Sequence, residues 1–219
     1  MAFTLQSASP EQTAQLGRLL APLLRADDVV LLTGELGAGK TVFTQGVAQG
    51  LGIMEAVNSP TFNLLLVHTR PAASASSVDA TLQMTPAVVT PALQPGSAAA
   101  PRSQASAPAA GTARSELPRA LYHFDLYRLD EAEQLADLDY WGLLEDGAAS
   151  LVEWGDRFST ALPRDYLLVE LLALTDGQRQ MQVSAVGSRG LALCQAWQQV
   201  LTAAETGVSA PAPEWTGRA

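Results

Sequence analysis

The sequence predicts a three-layered α/β fold with a mainly parallel sheet, and three stretches carry that expectation. Asp27-Asp28-Val29-Val30-Leu31-Leu32-Thr33 is a short apolar run flanked by acids, the form of a strand buried on both faces. It leads into Gly34-Glu35-Leu36-Gly37-Ala38-Gly39-Lys40-Thr41, which satisfies G-x-x-x-x-G-K-[ST]. The following Val42–Gly52 places Phe43, Val47 and Leu51 on one helix face, with Gly52 as a stop. Further on, Ala149-Ser150-Leu151-Val152-Glu153-Trp154 is a second small apolar strand, ending in an acid. Tyr166–Leu174 and Gln180–Val186, joined by the turn residues Asp176-Gly177, predict a hairpin that adds an antiparallel edge.

Strand, glycine loop and helix are the context that turns the motif into a phosphate-binding loop of the P-loop NTPase kind. Glycines let the backbone turn tightly and bring its N–H groups onto phosphate oxygens. The helix starting near Lys40 adds the positive end of its dipole. Lys40 can reach the β- and γ-phosphates, and the Thr41 hydroxyl can ligate Mg²⁺. The expected ligands are therefore ATP or ADP with Mg²⁺, held by Gly34, Glu35, Leu36, Gly37, Ala38, Gly39, Lys40 and Thr41. Glu153, at the end of its strand, has the form of a Walker-B acid and is the expected second protein ligand of the metal.

At 219 residues and 47% hydrophobic, the chain can bury a sizeable core. Its net charge of −9 argues against a broad nucleic-acid-binding face, although not against work on nucleic acid through a partner. Cys194 is the one cysteine, so no internal disulfide forms, and its apolar setting reads as a packed helix residue. The N-terminus has no basic stretch followed by an apolar one, and no run is long enough to span a membrane. A cytoplasmic protein, monomeric when isolated, is expected.

Taken in order, Phe3 to Leu5 reads as a short strand. Ser9-Pro10-Glu11-Gln12 starts a helix, with Ser9 as N-cap, Pro10 at the first position and Gln12 closing a capping box. Leu16, Leu20, Leu23 and Leu24 form its apolar face, and Pro22 ends or bends it. Val57–Thr61 reads as a loop, with a strand over Phe62–Val67. A hydroxyl in that loop could sit over a γ-phosphate, but from the residues alone Thr61 is more simply a turn residue. Pro71 to Pro118 is dominated by Ala, Ser, Pro, Thr and Gln and has no aromatic residue. Such a stretch cannot bury enough apolar surface to offset its ordering entropy, so a disordered insertion is expected there. Leu121–Arg128 reads as a strand with alternating faces, His123 and Asp125 on one side, and the plainer reading of that side is a polar strand face. Asp130–Leu138 reads as a short acidic helix, Ser188–Ala204 as a final helix, and the chain from Gly207 as a loose tail. The result is one domain over residues 1–206, interrupted by 71–118, with 207–219 as tail.

Four pieces stand in order: Gly34–Thr41, Ser59-Pro60-Thr61-Phe62, His123-Phe124-Asp125-Leu126-Tyr127-Arg128 and Leu151-Val152-Glu153-Trp154. Together they resemble the TsaE (YjeE) family of small bacterial ATPases. The resemblance covers nearly the whole chain outside the insertion and the tail. It implies an ATPase that acts with the TsaB–TsaD pair in making threonylcarbamoyladenosine beside the anticodon of tRNA, touching tRNA only through that complex. By position it also implies Asp125 near the metal and the attacking water, and Thr61 in the loop that responds to the γ-phosphate. Arg179 matches a nucleotide contact, and the loop at Ser9-Pro10 lies near the base. Lys40, Asp125 and Thr61 are then the catalytic set. Asn58, Phe62 and Gly155 stand where the family commonly has Lys, Tyr and Pro, which bears on loop contacts and not on the phosphate site.

The rival is a small-molecule kinase on the same fold. Such kinases usually carry an arginine-bearing lid. This chain has 13 Lys and Arg in all, unclustered, and its long loop is the Ala/Ser/Pro stretch.

Overall fold

Alternation along the central strand decides the layers. In β2 (Val29–Thr33) every residue is buried. Val30 and Leu32 belong to one hydrophobic cluster and Val29 and Leu31 to another. A strand with two apolar faces needs cover on both. The structure, a computed structural model, describes residues 1–60, 63–71, 117–158, 162–174 and 177–206. The other strands are β1 (Ala2–Ser7), β3 (Leu65–Thr69), β4 (Ala120–Asp125), β5 (Ala149–Glu153), β6 (Tyr166–Ala173) and β7 (Arg179–Val186). They form one sheet in the order β1-β7-β6-β2-β5-β4-β3. β6, β2, β5 and β4 run parallel, whereas β7, β1 and β3 are antiparallel to their neighbours. β2 thus has a parallel strand on each side, as a phosphate-loop fold requires.

Helices α1 (Pro10–Leu20), α2 (Lys40–Gly50) and α5 (Gly187–Thr206) cover one face. Trp197 is fully buried there, with edge-to-face contacts to Phe3 and Phe43 at 5.9 and 5.8 Å. Cys194 is buried beside it, and burial pushes its thiol pKa up, away from nucleophilic use. The short helices α3 (Gln134–Asp137) and α4 (Tyr140–Leu144) cover the other face through Leu135, Tyr140 and Leu144. Helices α1 and α2 cross very closely. A Cβ on Gly46 would overlap the Ala14 backbone, and one on Gly17 would overlap the Phe43 carbonyl. No helix among the described residues is long and apolar enough to cross a membrane.

Several boundaries differ from expectation, each for a physical reason. The α1 N-cap forms as expected, Ser9 Oγ accepting from the Gln12 N–H, but the Gln12 side chain accepts from Ala8 N–H one residue beyond the capping-box position. Pro22 does stop the helix, and Ala21–Leu23 tighten into a 3-10 turn. β3 begins at Leu65, not Phe62, because Asn63 and Leu64 both turn back to the Pro60 carbonyl. β4 is buried along its whole length, so its alternation separates two interiors and not an inside from an outside. The acidic helix is one turn, Gln134–Asp137, and a second turn, Tyr140–Leu144, follows it. The expected insertion, apart from Pro71, Leu117 and Pro118, lies outside the described residues, as do Thr61, Phe62, Asp176 and the tail from Gly207.

The flanks of that insertion are hydrogen-bonded neighbours: β3 pairs antiparallel with β4, and Arg70 N–H donates to the Arg119 carbonyl at 3.1 Å. The pairing is complete without residues 72–116. Replacing them by a loop of about six residues is about three halvings, worth roughly 2 kcal/mol of closure entropy at most. ATP binding should be unchanged, with an equal or higher melting temperature by differential scanning fluorimetry. A variant that loses ATP binding would mean that the segment takes part in the site.

Candidate functional site

The C-terminal ends of three adjacent parallel strands meet on one rung. Leu32 of β2 stands opposite Glu153 of β5, which stands opposite Asp125 of β4. The loop Gly34–Gly39 leaves β2 at that rung and enters α2 at Lys40. Its shape needs glycine at Gly34 (φ +126°), where a Cβ would overlap the Leu171 carbonyl oxygen, and at Gly39 (φ +109°). The tip is open to solvent, with Leu36 85% exposed, whereas Ala38 is buried.

Lys40 is 4% exposed. Its ammonium donates to the carbonyls of Gly34 at 2.9 Å and Glu35 at 3.0 Å. It also lies 4.2 Å from the centroid of the Trp154 ring. Burial lowers the Lys40 pKa, and the carboxylates of Glu153, Asp125 and Asp156 oppose that shift. Trp154 holds its place at φ +63°, a costly conformation for a bulky residue, with its N–H on the Leu32 carbonyl and its ring against Tyr127.

Glu153 is 3% exposed and accepts two hydrogen bonds on Oε1, from the Thr41 hydroxyl at 3.1 Å and from His123 Nε2 at 2.9 Å. Asp125, also 3% exposed, accepts from the Ser59 hydroxyl at 3.2 Å and from the Tyr127 N–H at 3.1 Å. His123 and Asp125 are therefore interior groups turned toward the loop and Glu153, and not the polar outer face that the residues alone suggest. Among the described residues no group of three or more His, Cys, Asp and Glu could hold a metal by itself. The donor set does suit Mg²⁺ bound with a nucleotide. It offers a hydroxyl and a carboxylate, both hard oxygens, to an ion that takes few protein ligands and draws the rest from phosphate and water.

Arg179 reaches the same place from the sheet's other side. A Cβ on Gly39 would stand 3.6 Å from Arg179 Nε and 3.7 Å from the Thr13 methyl. The Arg179 guanidinium donates to the Gly177 carbonyl. Pro10 opens α1 one turn before Thr13, whose hydroxyl is 2.7 Å from that of Ser7, the residue paired with Arg179. Thr61 lies outside the described residues, two positions beyond Ser59. Residue-by-residue reading misses Ser59, Thr13, Trp154 and the part played by His123. The available signal is Trp154's position directly after the strand-terminal acid.

The family model described as "Threonylcarbamoyl adenosine biosynthesis protein TsaE" matches residues 7–80 and 111–181. The chain belongs to the TsaE family. The TsaE match takes in Pro10, the whole phosphate loop, Thr61, Asp125, Glu153 and Arg179, and leaves out 81–110 within the expected insertion. The tRNA threonylcarbamoyladenosine biosynthesis protein TsaE of Bacillus subtilis is 30% identical over 191 residues, 87% of this chain and 90% of that one. The protein of the same name from Streptomyces coelicolor is 33% identical over 180 residues, covering 80% of this chain and 91% of its own. Among solved structures, Bacillus subtilis YdiB superposes with a TM-score of 0.57 over 90% of this chain and 95% of its own, at 24% identity, and so shares the fold.

Proposed function

We propose that this chain is the ATP-binding and ATP-hydrolysing component of the bacterial machinery that forms N6-threonylcarbamoyladenosine next to the anticodon in tRNA, acting with the TsaB–TsaD pair. The observation that carries the chemical half is the Thr41 hydroxyl on the Glu153 carboxylate, with Asp125 opposite Glu153 on the same rung of the neighbouring strand. Family membership and the names of its relatives support the biological half.

The loop N–H groups and Lys40 bind the phosphates, and Lys40 exchanges the Gly34 and Glu35 carbonyls for phosphate oxygens. Thr41 and Glu153 would hold Mg²⁺, and the ion would supply positive charge to the phosphates. Asp125 stands beside them with its carboxylate fixed by Ser59 and the Tyr127 N–H, placed to orient the attacking water. Thr61, two positions beyond Ser59 in the sequence, is in this reading the residue that responds to the γ-phosphate. Arg179 and Thr13 stand beside Gly39, and in this reading Arg179 and the α1 start at Pro10, one turn before Thr13, would meet the nucleoside. The cleft is cytoplasmic in this reading, and a net charge of −9 keeps tRNA contact with the partners.

Hydrolysis is slow in the isolated chain and is activated by the pair. Phosphate release, measured with the chain alone and then with TsaB–TsaD and tRNA, should rise on addition of the complex. Digested tRNA from cells lacking the protein should be depleted in threonylcarbamoyladenosine by mass spectrometry. Unchanged phosphate release together with normal modification would overturn the proposal.

A further inference from the structure

We infer that His123 is a positioning residue that holds the Glu153 carboxylate in the orientation a nucleotide-bound divalent cation requires. The inference rests on the reading of Thr41 and Glu153 as metal ligands.

The register of β4 and β5 places it. His123 pairs with Leu151, and Asp125 pairs with Glu153. Two positions apart on one strand, His123 and Asp125 share a face, so β4 sends one side chain to the mouth of the cleft and another beneath it. From that lower rung the imidazole reaches diagonally to Glu153, Nε2 to Oε1 at 2.9 Å, with the two side chains 0% and 4% exposed. A carboxylate only accepts, so Nε2 carries the proton.

The rest of the ring points to the same role. Nδ1 is buried without a hydrogen-bond partner among the described residues. Placing an imidazole in an apolar interior with one nitrogen unpartnered costs stability, and an aliphatic side chain would fill the space without that cost. What the imidazole supplies and a leucine would not is the second donor to Oε1. The first donor, the Thr41 hydroxyl, is no steady anchor, because its oxygen is itself a candidate ligand. Lys40 carries the opposing charge in the same cleft, its ammonium held on the Gly34 and Glu35 carbonyls. His123 keeps the carboxylate on the Thr41 side, where the cation would sit, and away from the lysine that must serve the phosphates.

The test uses the full chain with ADP and Mn²⁺ as the probe, free Mn²⁺ being read by electron paramagnetic resonance. His123→Leu should raise the Mn²⁺ dissociation constant about tenfold or more, the usual scale for losing an outer partner of a metal ligand. ADP affinity in EDTA should stay within about twofold. His123→Gln places an amide donor near the Nε2 position and should recover most of the Mn²⁺ affinity. His123→Asn stops short, near Nδ1, and should not. Should the leucine variant fail to fold, the contrast between Gln and Asn decides alone. Equal Mn²⁺ affinity in Gln and Asn, or parallel losses of Mn²⁺ and metal-free ADP binding, would overturn the role. If the wild-type chain with ADP takes up no Mn²⁺, the metal reading of Thr41 and Glu153 falls instead, and this inference with it.

Discussion

Replacing Lys40 by alanine should weaken ATP binding on the order of 100-fold while leaving the fold intact. The magnitude follows from what the ammonium does. It is the loop's own cation, 4% exposed, and it already makes two hydrogen bonds to the Gly34 and Glu35 carbonyls. In the proposed role those bonds exchange for phosphate oxygens when the nucleotide enters. Charge-assisted hydrogen bonds are each worth roughly 1.5–3 kcal/mol, and two of them correspond to about two decades of affinity or more. Stability should move the other way or not at all. Burial disfavours the charged lysine, as its lowered pKa reflects, and the nearby carboxylates offset only part of that. The alanine variant should therefore melt at or above the wild-type temperature. Titration with a fluorescent ATP analogue beside a thermal scan measures both halves. A variant that binds ATP as the parent does would refute the assignment of Lys40.

Glu153→Ala and Asp125→Ala should each lower Mg²⁺-dependent phosphate release about 100-fold or more and spare much of the binding. The two losses have different origins. Glu153 sits between Thr41 and His123, so its removal takes away the proposed metal ligand and frees both donors. Asp125 accepts from Ser59 and from the Tyr127 N–H, so its removal also releases the loop that leads to Thr61. Binding separates them from Lys40→Ala by sign. In EDTA, each carboxylate repels the phosphates without a cation between them, so each alanine variant should bind ATP as tightly as the wild type or more tightly. With Mg²⁺ present, the Glu153 variant alone should lose the tightening that the metal brings. Full turnover in Glu153→Ala would rule out its metal role.

The phosphate loop, the strand before it and the helix after it are legible in the sequence because each is a local pattern. Gly34–Thr41 is a fixed spacing of residue types, Val29–Thr33 is a continuous apolar run, and Phe43, Val47 and Leu51 repeat with the helical period. Those three stretches suffice for the fold class and for a nucleotide-binding role. The family resemblance adds Asp125, Thr61, Arg179 and Pro10, which no local period marks. Only the tertiary structure decides how these residues work together. The Thr41–Glu153 contact spans 112 positions, and it exists because β2 lies between β5 and β6 in the sheet. A strand buried on both faces, such as β4, carries no sign of which interior each side chain enters. His123 and Asp125 therefore read as a polar face until the pairing with β5 sets them beside Glu153. Ser59 on Asp125 and Trp154 over Lys40 are likewise products of register and strand order. Strand order follows from which apolar faces the whole chain can cover at once, a condition that no single stretch of sequence contains.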